Sequence, residues 1–239
     1  MKTVLITGGS RGIGAACARL FSEKGYNVAI NYFSSEKEAL SLEKELKNAA
    51  AFRADVADRA QVAAMVSAVK QRFGSVDILI NNAGIAQSKL FSDITEEDFD
   101  KMVAVHLKGT FNCTQSVLSD MIDKKSGKII NISSIWGMTG ASCEVHYSMV
   151  KSGIIGFTKA LAKELALSGI TVNAIAPGVV DTDMMSGFTA DEIKEIETEI
   201  PLGRLATPAE IALSALFLAG EGGDYITGQV ISPNGGIVI

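Results

Sequence analysis

Short apolar runs alternate with longer amphipathic stretches along the whole chain, and this alternation restricts the fold more than any other feature. Val4-Leu5-Ile6 is followed by Gly12 to Lys24, where Ile13, Ala16, Cys17, Leu20 and Phe21 recur at helical spacing. Val28-Ala29-Ile30 precedes a charged helical stretch from Glu36 to Lys47, and Ala51 to Ala54 is a further strand candidate. Asp58 predicts a helix cap, with Val62, Met65, Val66 and Val69 on one face of a helix running to Phe73. Ile78-Leu79-Ile80 is the fourth strand, and a helical region from Thr95 to Ser119 leads to a strand over Lys128–Ile132. A helix over Tyr147–Leu167, a strand over Thr171–Ile175 and a helix over Pro208–Ala219 follow, with Pro208 in a first turn where its missing N–H costs nothing. Val230-Ile231 closes the series. Parallel strands need crossover connections, so the pattern predicts a doubly wound α/β domain spanning residues 1–239. It has about seven parallel strands and helices on both faces.

Composition narrows the partners. With 22 basic and 27 acidic residues the chain carries a formal charge of −5 and no dense basic run, which argues against nucleic acid. No run of about 20 apolar residues exists to span a membrane, and the three apolar residues after Lys2 and Thr3 are too few for a secretion signal. A cytoplasmic protein is expected. Cys17, Cys113 and Cys143 are too sparse for a disulfide framework or a metal site, and are expected to be reduced and mostly packed.

Two local patterns carry chemistry. The first strand runs into Thr7-Gly8-Gly9-Ser10-Arg11-Gly12-Ile13-Gly14 and then a helix. Glycines admit positive φ and close approach of a ligand, and the helix N-terminus offers unpaired N–H groups to a pyrophosphate. The second pattern is Tyr147 and Lys151 at i and i+4, which places a phenol and an ammonium on one helix face. A nearby cation favours phenolate, so this neighbour is expected to lower the tyrosine pKa. Ser133-Ser134 ends the preceding strand on the edge where open parallel sheets bind ligands.

Taken together, Ser134, Tyr147 thirteen positions on, and Lys151 four further resemble the catalytic pattern of the short-chain dehydrogenase/reductase family. The spacing Gly8, Gly12, Gly14 resembles its glycine turn, and Asn81-Asn82-Ala83-Gly84 its motif after the fourth strand. Asp55-Val56 resembles the pair beside the adenine, and Pro177-Gly178 with Val180 and Thr182 the segment beside the nicotinamide. The resemblance covers essentially the whole chain in family order. It implies a Rossmann-type fold and a nicotinamide-dependent oxidoreductase, in which Tyr147 donates the proton, Ser134 orients the carbonyl and Lys151 holds the ribose. Within the family the chain is most similar to the 3-oxoacyl-[acyl-carrier-protein] reductases. That implies a 3-oxoacyl substrate on a carrier protein or coenzyme A, a place in fatty acid synthesis, and a homotetramer. Ile154, Ile155, Phe157 and Leu161 would suit either the subunit interface or the core.

NADP(H) is the expected cofactor. The second strand, ending Asn31-Tyr32, meets no carboxylate before Glu36, and Arg11 is placed to pair with a 2′-phosphate. The expected cofactor set also includes Ser10, Ile13 and Asn31. Several residues depart from the family. His106 stands for a helix asparagine that helps place a relay water, and either joins the relay or simply packs. Glu144-Val145-His146 replaces Gln-Ala-Asn before the tyrosine and puts a carboxylate near the substrate entrance. Ser168 replaces a basic carrier contact, leaving Lys124 and Lys125 as alternatives. Thr182 to Ile200 would form a substrate lid, with Met184, Met185 and Phe188 as an apolar wall and a short helix from Ala190 to Thr198. Trp136 faces either substrate or core. The competing readings are a dehydrogenase of another small ketone or alcohol, and a catalytically silent NADP-binding regulator.

Overall fold

Each of the seven apolar runs becomes a strand of one parallel sheet in the structure, a computed structural model describing residues 1–239. The strands are β1 (Thr3–Ile6), β2 (Asn27–Tyr32), β3 (Ala49–Arg53), β4 (Ile78–Asn81), β5 (Gly127–Ile132), β6 (Ile170–Ile175) and β7 (Val230–Ile231). Their order is β3-β2-β1-β4-β5-β6-β7, so the winding reverses between β1 and β4. Register pairs Val4 with Val28 on one side and with Ile78 on the other.

Continuous apolar runs follow from burial on both faces. Val4, Ile6, Ile30, Ile80 and Ile130 point to one side, and Leu5, Ala29, Leu79 and Ile129 to the other. The first face is covered by α1 (Gly12–Glu23) and α9 (Pro208–Ala219), through Cys17, Phe21, Ile211 and Leu218. The second packs against α3 (Arg59–Phe73), α5 (Gly109–Lys124) and α7 (Val145–Leu165), through Val66, Cys113 and Leu165. The remaining helices are α2 (Glu36–Glu45), α4 (Glu96–Val103), α6 (Trp136–Thr139) and α8 (Ala190–Glu199). The expected single doubly wound sheet with two covered faces is present.

Caps explain the sharp boundaries. Asp58 accepts from the N–H groups of Ala60 and Gln61 at the head of α3. Thr207 and Glu210 form a reciprocal cap at the head of α9, immediately before Pro208. Where the sequence suggested one helix from Thr95 to Ser119, α4 and α5 are joined by a wide turn of π geometry over Ala104–Lys108, and α5 continues to Lys124. A π turn re-aims side chains within a helix, and such turns concentrate at functional sites. Here it carries His106. The four-residue α6 has no apolar period to announce it. Gly137 lets it approach α7, because a Cβ there would lie 2.8 Å from the Lys151 backbone carbon.

A ladder of buried amides ties the second face to the strand ends. Asn81 Nδ2 donates to Asn131 Oδ1 at 2.9 Å and to Thr114 Oγ1 at 3.0 Å. Asn131 Nδ2 donates to Thr158 Oγ1 at 2.9 Å. β4, β5, α5 and α7 are thereby locked in register. Asn131→Ala removes both of that residue's bonds and strands their partners, so stability should fall by about 1–3 kcal/mol. A denaturant titration with an unchanged m-value should show this as a lower midpoint.

Candidate active site

The carboxyl ends of β1, β4, β5 and β6 converge where the winding reverses, which is the ligand edge of an open parallel sheet. At β1 the glycine turn is clamped from behind. Asn82 Nδ2 donates to the carbonyls of Thr7 and Gly8, both at 3.0 Å, and Thr7 Oγ1 accepts from the N–H groups of Asn82 and Ala83. Gly8 and Gly12 take φ of 59° and 52°, and a Cβ on Gly14 would fall 2.3 Å from Gly8 O. The close packing of turn, helix and β4 therefore requires glycine. At the head of α1 no side chain caps the first turn and no carboxylate lies in it, so the donors of Gly12, Ile13 and Gly14 face an anion-ready mouth. This uncapped cradle fits a dinucleotide pyrophosphate.

Tyr147, Lys151 and Ser134 meet at the ends of β5 and α7. Lys151 is 4 % exposed, and its Nζ donates to Ile132 O at 2.8 Å. It also lies 5.4 Å from the centre of the Tyr147 ring. Ser134 Oγ accepts from the Trp136 N–H at 3.2 Å, which leaves the serine proton free to donate outward. Burial lowers the Lys151 pKa to about 7. Tyr147 is pushed up to about 12, chiefly by burial and then by the Glu144 charge, with Ser134 opposing. The lowered phenol pKa expected from the lysine neighbour is therefore not found. The i, i+4 spacing brings the groups together as read, but removal from water sets the direction, with the Ser134 hydrogen bond opposing it.

His106 is buried beside the same tyrosine, with ring centres 5.7 Å apart and planes at 87°. Its Nε2 lies 2.8 Å from Ile85 O and 3.1 Å from Ile85 N, its Nδ1 has no partner, and its Cε1 edge abuts Gly84. Burial, with Lys151 adding to it, lowers its pKa to about 3. A second buried histidine, His146, contacts Gln87 Oε1 at 2.9 Å. Gln87 donates to Asp98, which also holds Lys89 at 2.6 Å. This chain ties the loop after β4 to the first turn of α7. Sequence reasoning noted His146 only as a departure and missed Gln87 and Asp98, because their pairing is long-range and has no local signature.

Other expected cofactor residues lie along the same edge, in different roles. Asn31 is buried and spends its amide on Gly8 N and Ala54 O, bracing the turn from behind. Asp55 caps the Ala57 N–H, while Val56 is buried and its carbonyl accepts from Asn112. Pro177 O accepts from Ile135 N, and Gly178 packs on Asn234. Val180 is in the core, and Thr182 stands 3.4 Å from a Cβ built on Gly12. Ser10 and Arg11 border a cavity of about 870 Å³ between α1, α2 and α9, as does Lys37, which sequence reasoning did not single out. Arg11 is exposed and pairs with Asp183 at 3.6 Å, and Glu36 accepts from the Tyr32 hydroxyl.

Met184 and Phe188 are exposed, and the short helix expected from Ala190 to Thr198 is present as α8. Ile154 is buried within the subunit, and Lys124 pairs with Asp77.

A sequence model of the family described as "Enoyl-(Acyl carrier protein) reductase" matches residues 8–238. The chain belongs to the short-chain dehydrogenase/reductase family. Its members are oxidoreductases acting on CH–OH groups with nicotinamide cofactors. The chain is 44 % identical to a protein of Staphylococcus aureus strain N315 named 3-oxoacyl-[acyl-carrier-protein] reductase FabG, over 99 % of this chain and 98 % of that one. It is 41 % identical to the Chlamydia muridarum protein of the same name, over 99 % and 97 % of the two chains. It is also 44 % identical to "Uncharacterized oxidoreductase YmfI" of Bacillus subtilis strain 168, over 98 % of each. No helix is long and apolar enough to cross a membrane.

A histidine held neutral in the fold but free to charge when unfolded costs stability as acid is added. The penalty is absent above pH 6.5, grows as pH falls from 6.5 towards 3, and then levels off. His106→Asn should therefore lose less stability than the wild type across that window. Paired denaturant titrations at several pH values measure the difference.

Proposed function

We propose that this protein reduces a 3-oxoacyl thioester, carried on acyl carrier protein or coenzyme A, to the 3-hydroxyacyl thioester with NADPH, as a step of fatty acid synthesis. The observation that carries the reading is the convergence of Ser134, Tyr147 and Lys151 beside an uncapped glycine turn at the ligand edge of the sheet. The near full-length identity to proteins named 3-oxoacyl-[acyl-carrier-protein] reductase supports the substrate class.

When bound, the reduced nicotinamide supplies the hydride for the carbonyl carbon. Ser134 donates to the carbonyl oxygen, since its own acceptor site already holds the Trp136 N–H. As negative charge builds on that oxygen, Tyr147 gives up its phenolic proton. A phenol near 12 is fully protonated at neutral pH. It is still a stronger acid than an aliphatic alcohol, whose pKa lies near water's value of about 15.7. Lys151, titrating near 7, can return a proton to the phenolate, and its remaining N–H groups can hold ribose hydroxyls. His106 keeps the Tyr147 ring in place through its edge-to-face contact and its anchor on Ile85.

Preference for NADPH rests on charge. Arg11 and Lys37 border one cavity, whose lining also carries Glu23, Glu38 and the Arg19–Glu45 pair, while Glu36 beyond β2 is engaged by Tyr32. A tetramer is supported by apolar residues left exposed on three helices: Phe111 on α5, Met149 on α7, and Leu213 and Phe217 on α9.

Tyr147→Phe should lower turnover of acetoacetyl coenzyme A by about 10²- to 10⁴-fold while cofactor affinity stays within a few fold. Stopped-flow turnover together with fluorescence titration of the reduced cofactor separates the two. Unchanged turnover would place the proton donor elsewhere. Arg11→Ala should raise the Michaelis constant for NADPH far more than that for NADH, whereas equal effects would remove the basis for NADP preference.

A further inference from the structure

The mechanism leaves unused the histidine that directly precedes the catalytic phenol. His146 lies in the first turn of α7 and is 3 % exposed. Its Nε2 meets Gln87 Oε1 at 2.9 Å, its Nδ1 has no partner, and the contact with Gln87 is the only hydrogen bond of the ring. No side chain caps the first N–H groups of this helix. Glu144, at its head, has non-helical backbone angles and makes no capping bond. An uncapped helix start frays unless groups from elsewhere fix it.

The segment after β4 does so. Residues 82–90 form neither helix nor strand, and every second residue from Ile85 reaches across to a group around Tyr147. The Ile85 backbone meets His106 Nε2, whose ring stands edge to face with the phenol. Gln87 meets His146, and the Lys89 N–H donates to Cys143 O at 2.8 Å, just ahead of α7. The chemistry of Asp98 fixes the direction of the middle contact. Its carboxylate accepts from Lys89 Nζ at 2.6 Å, from Gln87 Nε2 at 2.7 Å and from the Thr95 N–H at 3.2 Å. These bonds, Lys89 foremost, hold its carboxyl well below the usual carboxylate range, so it is ionised and can only accept. Because Asp98 takes the Gln87 N–H, the Gln87 oxygen faces His146, and the imidazole proton on that side sits on Nε2.

We propose that Gln87 is a positioning residue for the proton transfer: oriented by the Asp98 carboxylate, it holds the His146 ring and with it the first turn of α7, so that the Tyr147 hydroxyl meets the oxygen of the ketone. The inference rests on the reading of Tyr147 as the proton donor and adds the device that aims it. Gln87 acts through His146 rather than on the substrate. A proton donor displaced by about 1 Å loses about 10²-fold in rate even where the substrate still binds. Without the Gln87 oxygen both nitrogens of a buried ring would lack partners, a cost that the ring relieves by turning away and taking the helix start with it.

Gln87→Met keeps the length of the side chain and removes both of its bonds. With acetoacetyl coenzyme A and NADPH it should lower kcat by about 10- to 100-fold and leave the Michaelis constants within about twofold. The solvent deuterium isotope effect on kcat should rise, because proton transfer becomes the slower step. His146→Leu should reproduce the loss, and His146→Gln, which restores an N–H donor of similar reach, should recover most of it. The double variant Gln87→Met, His146→Leu should be no slower than either single one, since both remove the same bond. A wild-type kcat and isotope effect in Gln87→Met would overturn the inference, as would losses that multiply in the double variant or a His146→Gln enzyme no faster than His146→Leu. If Gln87→Met does not fold, the two His146 variants carry the test, and a His146→Leu enzyme as fast as the wild type overturns it. In each of these cases ketone reduction by the wild type still stands. A wild type that reduces no ketone instead removes the proposed function, and this inference with it.

Discussion

The bond from Lys151 Nζ to Ile132 O is the interaction on which the site depends. It brings a helix from the second face of the sheet to the end of β5 and fixes the turn of α7 that carries Tyr147. Burying an ammonium is unfavourable, and burial pulls the Lys151 pKa well below the usual lysine value. The surrounding structure must therefore hold it. Gly137 allows α6 to close over Lys151, Ser133 Oγ donates to Lys151 O, and the ladder from Asn81 to Thr158 fixes α7 against the strands. A residue that would otherwise seek water is kept where it can move protons.

That arrangement links the two halves of the chain. The first half supplies the glycine turn and its clamp from Asn82, and the second half supplies Ser134, Tyr147 and Lys151. They face each other because the winding direction changes between β1 and β4, leaving a crevice at the strand ends. The π turn at Ala104–Lys108 then carries His106 against the Tyr147 ring, edge to face. The loop after β4 is held to α7 through Gln87 and His146.

Much of this was legible in the residues. Apolar runs marked all seven strands because parallel strands buried on both faces cannot alternate in polarity. Asp58 and Pro208 located helix starts to the residue, since caps and a first-turn proline are local devices. The four-residue α6 and the π turn were not legible, because neither has a local signature: α6 rests on the contact of Gly137 with Lys151, and the π turn sits within a continuous helical pattern. The same reason explains the error over Tyr147. Spacing disclosed its cationic neighbour but not its burial, and burial sets the direction of the shift. Asn31 and Val180 were read from position, and the fold gives their side chains to bracing and core.

The account stands on Tyr147 protonating a ketone as a hydride arrives at its carbon. Incubating the purified protein with acetoacetyl coenzyme A and NADPH deuterated at the transferable position tests this most directly. The account predicts a 3-hydroxy product with one deuterium on the carbinol carbon, formed as a single stereoisomer. Oxidation of the cofactor with no deuterium in the product, or no conversion of any ketone while the cofactor is bound, would contradict it.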